Sequence, residues 1–423
     1  MTLENLKQEV TSLKGIYALL DKTRTTKKVW KHRASSTTSF LANPLHYALA
    51  QGLGVNFGAT DKTIVGTAVH SAVDFAYKNP SKGVISATKE LIKSINEELK
   101  NLQIGLIADK EAIKKEAFKL FKAYYNDVLI YNRDTFVASE EYLEVNVPVG
   151  MYKNPNNFGK IMLTGTFDRL YKDSQNNFIL GDLKTSGKKI TGSVEKPKEL
   201  QDFEAEIGSL QESKKEYEKL ISKFLNAETK CREIMEEKAQ VQIAFNDAKL
   251  NGKATKALEN KLEKLNSEFE KWCDNLERLE EAEKKIIIIN EKLLKLQEES
   301  EPLFKAYEVE KNKAELEACK QQYGFQVALY SLMYMIVHGI EIKKTRLEII
   351  VKTKVPQIQI FEWELDDDTL RKAEDAIQMV VSTIEAFYNG VDSSLLFRPN
   401  PYTFYGSETN EFINTLKGDI MKS

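Results

Sequence analysis

Between residues 195 and 310 the apolar positions fall in steps of three and four, and no other feature restricts the fold as strongly. Leu200, Phe203, Ile207 and Leu210 begin the series, and Tyr217, Ile221, Phe224, Cys231 and Met235 continue it. After the polar break NDAKLNGKAT (246–255) it resumes as Leu258, Leu262, Leu265, Phe269, Trp272, Leu276, Leu279, Ile286 and Leu293. A heptad seam of this length requires a facing helix. Two matched arms around a short break, with Asn251-Gly252 as the reversal, predict an antiparallel hairpin rather than a coiled coil between chains. Each arm of about 50 residues would extend on the order of 75 Å at 1.5 Å per residue.

On either side of this region the pattern is that of a packed α/β domain. Helical periods cover 2–22, 66–79, 85–102 and 109–132, with a loop-and-helix segment, FLANPLHYALAQGLG, at 40–54. Alternation then predicts three successive strands at 141–150, 160–171 and 177–185, the last two joined as a hairpin through KDSQNN. Beyond the heptads, YGFQVALYSLMYMIVHG (323–339) predicts an apolar helix and 346–354 and 357–365 two more strands. A final helix at 366–390 has acidic residues at its start and Gly390 after its end. Strands on both sides of the heptads imply one α/β domain, made of 1–194 and 313–423, with a coiled-coil hairpin (195–312) inserted into it.

A length of 423 residues also favours two structural units, and a hydrophobic fraction of 42% suffices for at least one large core. The net charge of −2 excludes a chain that is basic overall, so contacts with nucleic acid would need local patches. KTRTTKKVWKHR (22–33) offers six Lys and Arg around Trp30, and Lys188, Lys189, Lys352 and Lys354 are further candidates. The interspersed charges of the hairpin make a poor phosphate track, so it is expected to recruit a protein partner or act as a spacer or clamp. Cys231, Cys273 and Cys319 share no metal-ligand spacing and form no disulfide framework, which favours a reducing, cytoplasmic location. The opening MTLENLKQEVTSLKG is an amphipathic polar helix rather than a signal peptide, and no apolar run is long enough to span a membrane.

The chemistry concentrates in DRLYKDSQNNFILGDLKTSGK (168–188). A turn centred near Gln175 sets Asp168 opposite Asp182 on adjacent strands, with Cβ atoms about 5 Å apart. Two bare carboxylates so placed repel, and a divalent cation between them converts that repulsion into binding. Lys184 shares a strand face with Asp182, while Leu183 points into the core and offers its carbonyl as another oxygen ligand. A hard cation beside an ammonium suits phosphodiester hydrolysis: the one polarises phosphate, the other stabilises developing charge. Ordinary Asp and Lys residues at the ends of a surface hairpin are the alternative reading.

GTFDRL followed by NFILGDLKTSGK resembles the PD-(D/E)XK nuclease superfamily, in particular its RecB-like and RecE-like exonuclease branch. Three further segments match in the order that branch requires. SSTTSFLANPLHYAL (35–49) resembles its N-terminal segment, and GTAVHSAVDFAY (66–77) its histidine helix, with His70 at the histidine position. YGFQVALY (323–330) resembles its Q-x-x-x-Y helix, with Gln326 and Tyr330 one turn apart. The resemblance covers most of the chain outside the heptads. Asn43 stands where many relatives carry a cluster-binding cysteine and 397–408 contains none, so no iron–sulfur cluster is expected.

The resemblance implies a restriction-endonuclease-like core, a mixed sheet flanked by helices, and a metal-dependent deoxyribonuclease. Mg²⁺ or Mn²⁺ would be held by His70, Asp168, Asp182 and the Leu183 carbonyl. Lys184 would assist catalysis, with Gln326 and Tyr330 orienting the lysine or the DNA backbone. Asp74, one helical turn beyond His70, is a candidate to orient its imidazole, and Glu144 is a further acidic candidate. An exonuclease acting on DNA ends in recombination, repair or replication is the expected activity. The competing reading is a noncatalytic scaffold in which a degenerate nuclease fold carries an interaction arm.

Overall fold

The computed structural model describes all residues except 28, 103–107, 133–134, 401, 403–408, 411 and 415–423. Contacts divide the chain into two units, Met1–Thr191 with Glu315–Ser423, and Gly192–Ala314.

The first unit begins with helices α1 (Leu3–Glu9) and α2 (Leu13–Thr26), capped by Thr2 and Ser12. One continuous helix was expected here; Ser12 starts a new one by accepting from the Gly15 N–H. Strand β1 (Trp30–Arg33), α3 (Ser36–Ala42) and α4 (Pro44–Tyr47) follow. Three longer helices come next: α5 (Asp61–Lys78), α6 (Gly83–Glu98) and α7 (Lys110–Tyr124). Strands β2 (Phe136–Asn146), β3 (Ile161–Lys172) and β4 (Phe178–Ser186) complete the N-terminal part.

The second unit is helical: α8 (Lys198–Phe224), α9 (Ala227–Leu250) and the start of α10 (Lys256–Cys319). Phe224 and Ala227 pack on Leu279, whereas Ile234 and Val241 pack with Leu265. Ascending positions on one arm thus meet descending ones on the other, so α9 and α10 run antiparallel. Lys261 also reaches Glu237 at 2.9 Å. The chain reverses at Asn251-Gly252, where Gly252 holds φ +62, a region glycine enters without steric cost.

The C-terminal part of the first unit contains α11 (Phe325–His338), β5 (Ile342–Val351), β6 (Gln357–Glu364), α12 (Asp367–Tyr388) and α13 (Ser393–Leu396). All six strands form one mixed sheet, ordered β1-β3-β4-β5-β6 with β2 paired to β3. β1 and β4 share one edge of β3: β1 runs parallel to Ile161–Thr164, and β4 runs antiparallel to Arg169–Lys172. Each face of the sheet has its own core. Phe167, Leu180, Leu347 and Ile349 pack with Leu20, Met333 and Val381 on one side. Tyr171, Ile179, Leu183 and Ile350 meet Val69, Leu91 and Phe121 on the other. Two helical layers around a mostly buried sheet are what strands this apolar require. Among the described residues no helix is long and apolar enough to cross a membrane.

Candidate active site

The hairpin of β3 and β4 is held by its turn. The Asp173 carboxylate accepts from the Gln175 and Asn177 N–H groups at 2.8 and 2.9 Å, and Asn176 takes a left-handed φ of +64. The resulting register pairs Lys172 with Phe178 through to Arg169 with Gly181, centred on Gln175. The next positions in this register are Asp168 and Asp182. There the ladder ends, because β3 turns to β1 and β4 continues along β5. The Leu183 N–H, left without a β3 carbonyl, donates instead to Asp168 Oδ2 at 2.6 Å. A side chain thus closes the fork between two strands, and both acids lie at its mouth.

Lys184 follows on the same face as Asp182. Its Nζ donates to Asp182 Oδ1 at 2.9 Å and lies 2.7 Å from Oδ2, a contact without hydrogen-bond geometry. Asp182 is 2% exposed, so this ammonium neutralises a charge water hardly reaches. Burial raises the Asp182 carboxyl; Lys184 opposes that rise and Asp168 adds to it. Burial lowers the Lys184 ammonium, but Asp182 and Asp168 outweigh it and hold the lysine above its ordinary range. Tyr330, on α11, faces the same charges; burial and Asp182 push its hydroxyl up to about 12. Gln326 donates to the Tyr330 hydroxyl at 3.5 Å. Gly165 makes room for that ring, since a Cβ there would lie 2.4 Å from Tyr330 Cε1.

His70 reaches the fork from α5. Gly66, one turn earlier, allows the helix to approach β4, where a Cβ would meet Thr185 Oγ1 at 3.2 Å. His70 Nδ1 lies 3.5 Å from Asp168 Oδ1. Burial raises the Asp168 carboxyl, yet His70, Lys184 and Arg169 together hold it well below the carboxylate range. Arg169 itself is buried beside Glu348 at 3.8 Å and over the rings of Tyr77 and Tyr124, which ties β3 to β5 and α7.

Glu140 was not among the expected residues. It lies on β2 between Ser139 and Glu141, which pair with Arg169 and Phe167, so its register position opposes Asp168. Its φ of +52 departs from strand geometry. Burial and the Asp168 charge push its carboxyl up to about 7, with His70 opposing. In sequence it is one of three acids in SEEYLE, and alternation alone does not single it out.

Ligand atoms of His70, Glu140 and Asp168 all lie within 4.8 Å of one another. One imidazole nitrogen and two carboxylates, with the unbonded Oδ2 of Asp182 buried at the neighbouring register position, fit a hard divalent cation. Two further acidic candidates have other partners. Asp74 accepts from the Ser139 hydroxyl and pairs with Lys78 at 2.9 Å, so these partners, and not the His70 imidazole, hold its carboxylate. Glu144 is paired with Lys31 at 2.6 Å on the surface and accepts from Tyr142 at 2.7 Å.

The fork opens into a cleft of about 1240 Å³ lined by His70, Glu140, Lys184, Lys62, Lys352 and Arg33, among others. The basic segment 22–33 contributes little besides Arg33. Trp30 is fully buried, Lys27 donates to the Gln51 and Gly52 carbonyls, and Arg24 pairs with Asp21 and the Val391 carbonyl. Lys28 lies outside the described residues.

Comparison with known proteins adds a family. Residues 34–271 match the family model described as the PD-(D/E)XK nuclease superfamily, which is more than half of the 423 residues. No curated protein matches the chain. Among solved structures, one similar chain is a Eubacterium rectale protein whose exonuclease activity is assigned in name only. It is 11% identical, with 87% of this chain and 84% of that chain covered at a TM-score of 0.37. That likeness is too loose to carry an argument.

Proposed function

The chain belongs to the PD-(D/E)XK nuclease superfamily, and from that premise we propose that it is a metal-dependent deoxyribonuclease hydrolysing DNA from its ends. The observation that carries this reading is the fork: Asp168 and Asp182 at facing positions, Lys184 on Asp182, and His70 and Glu140 gathered on Asp168. His70, Glu140, Asp168 and Asp182 would hold the cation, with the Leu183 carbonyl as a further oxygen ligand. A bound Mg²⁺ or Mn²⁺ would supply Lewis acidity to the scissile phosphate and a nucleophilic water at neutral pH.

The chain's own residues do the rest. Asp182 fixes the Lys184 ammonium at 2.7 Å and keeps it charged, so that it stabilises negative charge developing on the phosphate oxygens. Tyr330 stays protonated at neutral pH and is available as a hydrogen-bond donor beside the lysine, with Gln326 holding its hydroxyl. Leu183, through its N–H, keeps Asp168 Oδ2 turned into the fork, leaving Oδ1 towards His70. Attack in line at phosphorus would leave 5′-phosphate and 3′-hydroxyl ends.

Incubation of linear and covalently closed circular DNA with Mg²⁺ tests the reading. Wild type is expected to degrade the linear form alone, and Asp182→Ala neither. Cleavage of both forms would replace the exonuclease with an endonuclease. Equal inactivity of wild type and variant in Mg²⁺ and in Mn²⁺ would leave a noncatalytic scaffold.

A further inference from the structure

The cleft holds a second concentration of charge that the chemistry of the fork does not use. Lys62, in the first turn of α5, and Lys352, the residue after β5, line the same cleft as His70 and Lys184. Their backbones are brought together by the close approach of α5 to β4 at Gly66 and Thr185, and by the Lys352 N–H, which donates to the Ser186 carbonyl at 2.7 Å. Among the described residues neither ammonium has an ion-pair or hydrogen-bond partner. Glu116, the carboxylate that acts on Lys352, is itself paired with Lys119 at 3.2 Å. Burial pulls the Lys352 ammonium below the ordinary lysine range, Glu116 opposes this, and the Lys62 charge adds to it. Lys62 is exposed and Lys352 half-buried, so two like charges face one cleft, and an anion between them relieves their repulsion. Thr67 and Thr185 line the same cleft and add neutral donors.

We infer that Lys62 and Lys352 form a second phosphate seat, which takes a backbone phosphate of the strand whose scissile bond lies at Lys184. Lys62 precedes His70 by eight residues, about 12 Å along a helix at 1.5 Å per residue, so the seat serves a different phosphate from the one cleaved. It sets how far the strand is drawn into the cleft. This assignment rests on the nuclease reading for its choice of ligand, and its test is separable from that reading.

Binding of fluorescent single-stranded and duplex oligonucleotides is measured by anisotropy in EDTA, which removes cleavage, across a salt series. Wild type is compared with the double variant Lys62→Gln/Lys352→Gln and with a charge-matched control, Lys343→Gln/Lys372→Gln, whose lysines lie outside the cleft. The seat predicts binding about tenfold weaker and a log K against log salt slope shallower by about 0.9 on duplex and about 0.7 on single strands, in the cleft variant alone. Melting temperatures matching wild type exclude a folding defect. A slope equal to that of the control overturns the seat even if wild type cleaves DNA, and so does absence of binding by wild type. A reduced slope in a protein that cleaves nothing keeps the seat and discards the nuclease. If inorganic phosphate stabilises wild type but not the cleft variant, while the DNA slope is unchanged, the seat belongs to a free anion and the proposal falls.

Discussion

The main-chain N–H of Leu183 donates to Asp168 Oδ2 at 2.6 Å, at the point where the ladder between β3 and β4 ends. One hydrogen bond therefore does two things. It satisfies a strand N–H that would otherwise be orphaned inside the sheet, and it aims the other carboxylate oxygen at His70. The fork is a consequence of topology: β3 must serve β1 with its first half and β4 with its second.

Lys184 is the counter-charge of an almost fully buried Asp182. Lys184→Met should lower stability by about 3 kcal/mol in metal-free buffer, because it leaves a buried carboxylate unpaired. Added Mn²⁺ should recover part of that loss, since a cation bound to the folded state alone stabilises it. Urea unfolding with and without Mn²⁺ measures both. A variant as stable as wild type would mean that Asp182 does not depend on Lys184 as its counter-charge, and one indifferent to Mn²⁺ that Asp182 faces no cation site.

Glu140 combines a left-handed backbone, φ +52, with a like-charge neighbour in Asp168. Glu140→Gly should relieve about 1 kcal/mol of backbone strain. It should also weaken Mn²⁺ binding, so that stability and metal affinity move in opposite directions. Thermal melts and calorimetric Mn²⁺ titration of the same preparation provide the check. Unchanged affinity would remove Glu140 from the ligand set.

Gly165 leaves the space that the Tyr330 ring fills. Gly165→Ala should cost about 1–3 kcal/mol through overpacking, and most of that cost should disappear in a Tyr330→Ala background. Unfolding free energies of the two single variants and the double variant close the cycle. Additive effects would show that the two positions do not meet.

His32 is buried in β1 between the Tyr47 hydroxyl at 3.1 Å and Thr37 Oγ1 at 2.7 Å. Burial drops its imidazole to about 3 from the ordinary 6.5. The unfolded chain takes a proton below pH 6.5 that the folded chain refuses until about pH 3, so the unfolded state is favoured as pH falls. The contribution of His32 is therefore complete above pH 6.5 and declines by about 1.4 kcal/mol per pH unit below it. His32→Gln should show a shallower acid decline than wild type in urea melts from pH 7 to pH 4. Parallel curves would mean that the imidazole is protonated in place.

Much of the site could be read before any coordinates, and for a physical reason. Hairpin register depends on local turn chemistry, so KDSQNN and strand alternation sufficed to set Asp168 opposite Asp182 and to put Lys184 beside it. Glu140 escaped because its direction depends on a backbone kink, which alternation in SEEYLE does not encode. β1 escaped because four residues, WKHR, pair in parallel with a strand 131 positions away (Trp30 with Ile161). In that setting Trp30 reads as an aromatic among basic residues, whereas it packs between Tyr47, Phe387 and Phe397 in the core. Asp74 has the helical spacing to reach His70, but the competing hydroxyl of Ser139 comes from strand β2, beyond the reach of spacing arguments.

The most direct measurement is release of nucleotides from linear duplex DNA by wild type and Asp168→Asn, each in Mg²⁺, Mn²⁺ and EDTA. Asparagine keeps an oxygen for the Leu183 N–H and removes the charge, so the fold is retained while the cation is lost. Wild type should release nucleotides with either metal and none in EDTA, and the variant should be slower by about 100-fold or more. Release that survives EDTA, or equal rates from the two proteins, would contradict a metal site at the fork of β3 and β4.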